Sequence, residues 1–170
     1  MIALKQVLFP TDFSDCSRTA QVAACEFAER FGAELHLLHV LEDALLMMPE
    51  PGSALSLPQN YLLDMKQAAE RALSGLLPAE WAATHVVHRA TRIGNAANEI
   101  VKYAAERNID LIVLGTHGRG MIGHFLAGSV AERVVQHADC PVMTIPSRKN
   151  APQTSFPGSD WERGVRSSAS

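Results

Sequence analysis

Cysteine is scarce in this 170-residue chain: Cys16, Cys25 and Cys140 are odd in number and show no CxxC spacing. That excludes a disulfide framework and suits free thiols in a reducing compartment. Long apolar runs are missing, so no stretch has the length to span a bilayer. The opening Met1-Ile-Ala-Leu-Lys5 enters a strand without an h-region or cleavage site. Lys and Arg form no long runs, and the formal net charge of -3 argues against nucleic-acid binding driven by bulk charge. A cytoplasmic protein with no membrane or nucleic-acid partner is expected. Aromatics make up 6% against 47% apolar residues, an ordinary mix that at this length points to one domain and one core.

Several catalytic signatures are also missing. The chain has no Walker-A motif G-x-x-x-x-G-K-S/T, no G-x-G-x-x-G after its first strand and no nucleophile elbow G-x-S-x-G. Without HExxH, CxxC or a carboxylate cluster, no metal site is expected apart from magnesium arriving with a nucleotide. His36, His39, His85 and His88 fall on expected strands without ligand spacing and read as satisfied or edge histidines.

The chain does hold one segment rich in chemistry, Asp110-Leu-Ile-Val-Leu-Gly115-Thr-His-Gly118-Arg-Gly120-Met-Ile-Gly123-His-Phe-Leu-Ala-Gly128-Ser129-Val130-Ala-Glu132. A short apolar strand runs into a glycine-rich loop and then a helix. Glycines let backbone N–H groups approach an anion, and a helix N-terminus adds unpaired N–H groups and a positive dipole end. The segment reads as a phosphate cradle. Ser129 either contacts phosphate or caps its helix, with Glu132 closing a capping box. Arg119 either meets a terminal phosphate or is a solvated loop residue, and His117 and His124 stay equally open.

Around it, strand and helix patterns alternate. Strands are expected over 4–9, 34–40, 84–90, 111–114 and 141–145. The first helix carries Ala20, Ala24, Phe27 and Phe31 at helical spacing, with Asp12 or Ser14 as its cap and Gly32 as its stop. A second helix, marked by Tyr61, Met65, Ala69, Ala72 and Leu76, ends at Pro78. Gly94-Asn95 opens a third with Ile100, Val101 and Ala104 inward, and a last helix turns Val130, Val134, Val135 and Ala138 to one side. The pattern implies a doubly wound parallel sheet with helices on both faces, an α/β fold. Ligands on such sheets sit at the carboxyl ends of the strands, here Pro10-Thr11-Asp12, Val40, Ala90 and Gly115. Residues 41–58 read as an irregular lid, contact surface or mobile loop. The Ser-, Gly- and Pro-rich residues 147–170 read as a largely disordered tail.

Three ordered segments carry a family resemblance. The spacing Gly115-x-x-Gly118, nine residues, then Gly128-Ser129 resembles the nucleotide loop of the universal stress protein family, in its ATP-binding branch. Val7-Leu-Phe-Pro10-Thr-Asp12-Phe-Ser14 and Ala138-Asp-Cys140-Pro-Val142-Met-Thr-Ile145 are similar to its first and last strands. The likeness covers residues 1–146. It implies a Rossmann-like five-stranded sheet of order 3-2-1-4-5 that binds ATP, ADP or AMP with Mg2+ and forms a homodimer through the last strand, Val142 to Ile145. Carried over by position, Pro10 and Thr11 would shape the adenosine pocket, and Asp12 would help hold ribose or a metal–phosphate group. The Val40 backbone would bond the adenine edge, and Gly115, Gly118, Gly128, Ser129 and Val130 would hold ribose and phosphates.

The expected function is an adenine-nucleotide-binding stress-response or regulatory protein in which nucleotide gates an unknown protein partner. The alternatives are a slow ATPase or a phosphoryl or nucleotidyl transferase in the same pocket, and a purely structural dimer. The loop holds no obvious general base, so binding is favoured over dedicated catalysis.

Overall fold

The computed structural model describes residues 4–14, 17–42, 60–116 and 128–146. The expectations for Cys16, most of the 41–58 loop, His117, Gly118, Arg119, Gly120, Gly123, His124 and the 147–170 tail fall outside these residues.

Five strands form one parallel sheet: β1 (Gln6–Pro10), β2 (Glu34–Leu41), β3 (Val87–Ile93), β4 (Leu111–Gly115) and β5 (Val142–Ile145). Their order is β3-β2-β1-β4-β5, as expected for a doubly wound sheet. Helices α1 (Arg18–Phe31), α2 (Tyr61–Ser74), α3 (Ala79–Thr84), α4 (Ala96–Glu106) and α5 (Ser129–His137) cover it. Strand alternation divides the core. Val7, Phe9, Leu35 and Leu37 pack on one face with Ala24, Cys25 and Leu73 of α1 and α2. Leu8, Leu38 and Ile112 pack on the other with Ile100, Tyr103 and Val134 of α4 and α5. A sheet covered on both faces needs apolar residues at consecutive positions, which is why Val7, Leu8 and Phe9 are all fully buried. Each such side chain contributes about 1.5–3 kcal/mol relative to exposure.

Polar contacts fix the register. Asp110 Oδ2 accepts from the Lys5 and Gln6 backbone N–H groups at 2.7 and 2.9 Å, tying the start of β1 to the start of β4. Gly32 closes α1 at φ 61°, a left-handed cap that turns the chain into β2.

The structure corrects several local expectations. Short helix α3 follows Pro78, its N-cap, where only a helix end was expected; proline fixes φ and needs no donor at such a start. Strand β3 begins at Val87 and runs on to Ile93, because its ladder follows β2 through Leu41. Phe31 is half-exposed at 50%, and Val135, expected to share a side with Val134, is 52% exposed while Val134 is buried. Phe31 instead stacks on Phe27 with centroids 6.1 Å apart. Ala72 is exposed, and Leu73 takes the buried position. Helix α1 is capped at Ser17, not by Asp12 or Ser14. Helix α5 begins with Ser129 in its first turn and Gly128 as N-cap, without a side-chain cap bond, so no Ser129–Glu132 capping box forms. Ser129 sits one residue too late, since a cap must lie outside the helical turn. No helix among the described residues is long and apolar enough to cross a membrane.

Candidate functional site

A cleft of about 640 Å³ opens at the carboxyl ends of the strands. It sits where β1 and β4 diverge toward helices on opposite faces, the topological switch point. Pro10, Thr11 and Asp12 line it from β1 and Val40 from β2. Gly115 enters from β4, while Gly128, Ser129 and Val130 enter from the start of α5. Every sequence-predicted site residue that is described lies on this one cleft; Gly118 and Arg119 lie outside the described residues. Ala90 does not line it, because β3 ends three residues later.

Each part is held locally. The Thr11 N–H donates to the Leu38 carbonyl at 2.9 Å, extending the β1–β2 ladder past Pro10. Thr11 Oγ1 accepts from Phe13 N–H at 3.0 Å, and Phe13 takes a left-handed φ of 61°. Asp12 Oδ1 accepts from Ser14 N–H at 3.0 Å and Ser14 Oγ–H at 2.6 Å. This Asx turn bends the chain back from the strand. His39 Nδ1 donates to the Thr11 carbonyl at 2.7 Å, and the His39 ring lies against Phe13 with centroids 4.4 Å apart.

The glycine segment is anchored at both ends. The Thr116 N–H donates to Ile145 O at 3.0 Å, and the Gly128 N–H donates to Thr116 O at 2.5 Å. Helix α5 therefore starts against the end of β4. Its first-turn N–H groups precede the first intrahelical bond, Glu132 N–H to Gly128 O at 3.0 Å, and belong to residues that line the cleft. Leu38, Ile100 and Leu114 supply apolar walls, with Met65 added from α2. Sequence reasoning missed these wall residues and His39. Strand alternation marks which of them share a face, but only the strand order brings them to one cleft.

Comparison with known proteins identifies the lineage. The model of the universal stress protein family matches residues 3–146. The chain belongs to the universal stress protein family. Universal stress protein MJ0531 from Methanocaldococcus jannaschii is 34% identical over 148 residues, covering 85% of this chain and 84% of that protein. The solved universal stress protein UspA from Lactobacillus plantarum is 30% identical with a TM-score of 0.67, covering 84% of this chain and 97% of that one. A universal stress protein from Archaeoglobus fulgidus in complex with dAMP shares the fold at 22% identity, with a TM-score of 0.55 and coverage of 85% and 99%.

This universal stress protein carries a second polar cluster, at the opposite, amino-terminal end of the sheet. Glu34 and His36 share the α4 face of β2, and His88 lies beside His36 in the β2–β3 register. His88 Nε2 donates to Glu34 Oε2 at 2.6 Å, and the His36 and His88 rings stack with centroids 4.4 Å apart. His36 Nδ1 pairs with the Tyr103 hydroxyl at 2.9 Å and Nε2 with Gln6 Oε1 at 2.5 Å. Burial, followed by the charge of His88, pushes His36 down to about 4. The His88 hydrogen bond holds the Glu34 carboxyl below its usual range. His36 and His88 are satisfied by hydrogen bonds, as expected, and one atom from each of Glu34, His36 and His88 falls within 4.8 Å of the others. His85 is not on a strand; it ends α3 and stacks on Trp81 with centroids 3.9 Å apart. Alternation in Glu34-x-His36 was visible in sequence, whereas the His88 partnership depends on register between distant strands.

Proposed function

We propose that the cleft binds an adenine nucleotide, ATP with Mg2+ as its full ligand, and that nucleotide occupancy gates an interaction with a protein partner. The carrying observation is the convergence of Asp12, Gly115 and the α5 N-terminus on one cleft with apolar walls. The base would lie among Leu38, Ile100 and Leu114, with its edge on the Val40 backbone. The first-turn N–H groups of α5 would take phosphate oxygens. Asp12 and Glu42 are the charged residues among those lining the cleft, both acidic. A polyphosphate there needs a cation to screen it, and Mg2+ shared between phosphates and Asp12 supplies that charge. Gly118 and Arg119 would add contacts from the intervening segment. The proposed working unit is a cytoplasmic homodimer joined through β5, an outermost strand of the sheet, whose single paired edge leaves the other available.

The test is a thermal-shift titration of nucleotide-stripped protein with ATP, ADP, AMP, cAMP and GTP, with and without Mg2+, beside Gly128→Trp. Ligand at a hundredfold over its Kd adds about 2.7 kcal/mol, and each kcal/mol moves Tm by about 2–4 °C at this size. A shift with adenine nucleotides that vanishes in the variant is expected. The absence of any shift in folded, stripped protein would overturn the nucleotide reading.

A further inference from the structure

We propose that Glu34, His36 and His88 form a site for a divalent transition-metal ion of the zinc class, separate from the nucleotide cleft. Two imidazoles and a carboxylate are a donor set suited to Zn2+ and unsuited to Mg2+, which prefers oxygen ligands in octahedral arrangement. The three donor atoms already lie within 4.8 Å of one another. Donors about 2.0–2.2 Å from a tetrahedral zinc stand roughly 3.3–3.5 Å apart, so the site needs side-chain adjustment: the Glu34–His88 pair, at 2.6 Å, must open to admit the ion. The side chains free to supply it are the partly exposed ones, His88 at 46% and Glu34 at 40%. His36, only 4% exposed, is the fixed member.

The surroundings supply the outer support that metal-binding histidines require. Tyr103 holds His36 Nδ1 at 2.9 Å, leaving Nε2 on the side of Gln6 and Glu34. Without metal, the network is closed: Tyr103 O–H donates to His36 Nδ1, His36 Nε2–H to Gln6 Oε1, and His88 Nε2–H to Glu34 Oε2. His36 moves its proton from Nε2 to Nδ1, His88 vacates Nε2 and keeps one proton on Nδ1 with any second proton passing to solvent, and the ion takes the freed lone pairs. The Tyr103 hydroxyl then accepts from His36 Nδ1–H instead of donating to it, a reversal a phenol can make and a backbone amide cannot. Gln6 releases Nε2. Glu34 turns from acceptor of the His88 proton to anionic ligand. Three protein ligands leave a fourth position for water or an incoming group.

The experiment is calorimetric titration of the full, nucleotide-free chain with ZnCl2, with Co2+ visible absorption as the readout of coordination. Wild type is expected to take up one ion per chain and give the intense absorption of tetrahedral Co2+. His88→Ala and Glu34→Gln should each weaken binding by at least about tenfold, and Tyr103→Phe, which keeps the packing but loses the hydroxyl, by about tenfold. The two partly exposed positions should keep the metal-free Tm. Should either variant lose stability, Tyr103→Phe and the Co2+ spectrum carry the test. No uptake of Zn2+ would overturn the proposal. So would uptake unchanged in His88→Ala and Glu34→Gln, which would place the ion elsewhere in the chain. Because the ion is added without nucleotide, the outcome is independent of the nucleotide titration.

Discussion

Cys25 shows how packing decides the chemistry of a side chain. It is fully buried on α1 against the sheet. Burial, followed by the charges of Glu29 and Glu26, pushes its thiol up to about 12. A thiol held neutral there is a small apolar group and a poor nucleophile. In folded protein at pH 8, Cys25 should resist iodoacetamide and become labelled only in denaturant, as read by peptide mass mapping. The sign for stability follows from linkage. The folded value lies above the ordinary 9.0, so its contribution is intact below pH 9 and is lost as pH rises from 9 toward 12. Cys25→Ala should flatten that alkaline loss of Tm. Asp12 makes a sharper functional case, since it both closes an Asx turn and lines the cleft. Asp12→Ala should weaken nucleotide binding more with Mg2+ present than without it, measured by titration in both conditions. The place of Asp12 was legible in sequence, because a Pro-Thr-Asp run ends a strand whose carboxyl end faces the switch point. The positive φ of Phe13 and the bond from His39 to Thr11 were not: they depend on β2 lying beside β1.

The element boundaries show where local signals suffice. Gly32 and Asn95 were readable from sequence because capping is a local contest for unpaired backbone groups. Asn95 Oδ1 accepts from Asn98 N–H at 3.2 Å and opens α4 as expected. Short helix α3 escaped detection because six residues give too little periodicity, and burial of Trp81 beside Leu73 and Leu77 makes it worthwhile. Two glycines give graded predictions. Gly94, joining β3 to α4, has φ 146°, and a Cβ there would stand 3.3 Å from Glu99 Cγ. Gly94→Ala should cost about 1–3 kcal/mol. Gly32 has φ 61° with nothing within 4 Å of an added Cβ, so Gly32→Ala should cost about 1 kcal/mol. Urea denaturation of both variants tests the order, and a Gly32 variant costing more than the Gly94 variant would contradict it.

At the scale of the molecule, a parallel sheet has two unlike ends, and this chain places different chemistry at each. The carboxyl end holds the cleft; the amino end holds the imidazole–carboxylate cluster. The sheet class was legible from alternating strand and helix patterns, because each crossover forces a parallel neighbour. Strand order was legible only through family resemblance, since periodicity says nothing about which strands meet. The cluster was invisible for the same reason: Glu34 and His88 meet only once β2 and β3 pair. If β5 joins two copies, sedimentation at micromolar concentration should report a dimer, and a monomer would remove that part of the proposal.

The bond from the Gly128 N–H to Thr116 O closes the chain on itself on either side of residues 117–127. Thr116 is itself tied to the end of β5 through Ile145, and Gly128 opens α5. The junction is therefore a splice, at which β4 and α5 are joined through a contact between their own flanking residues.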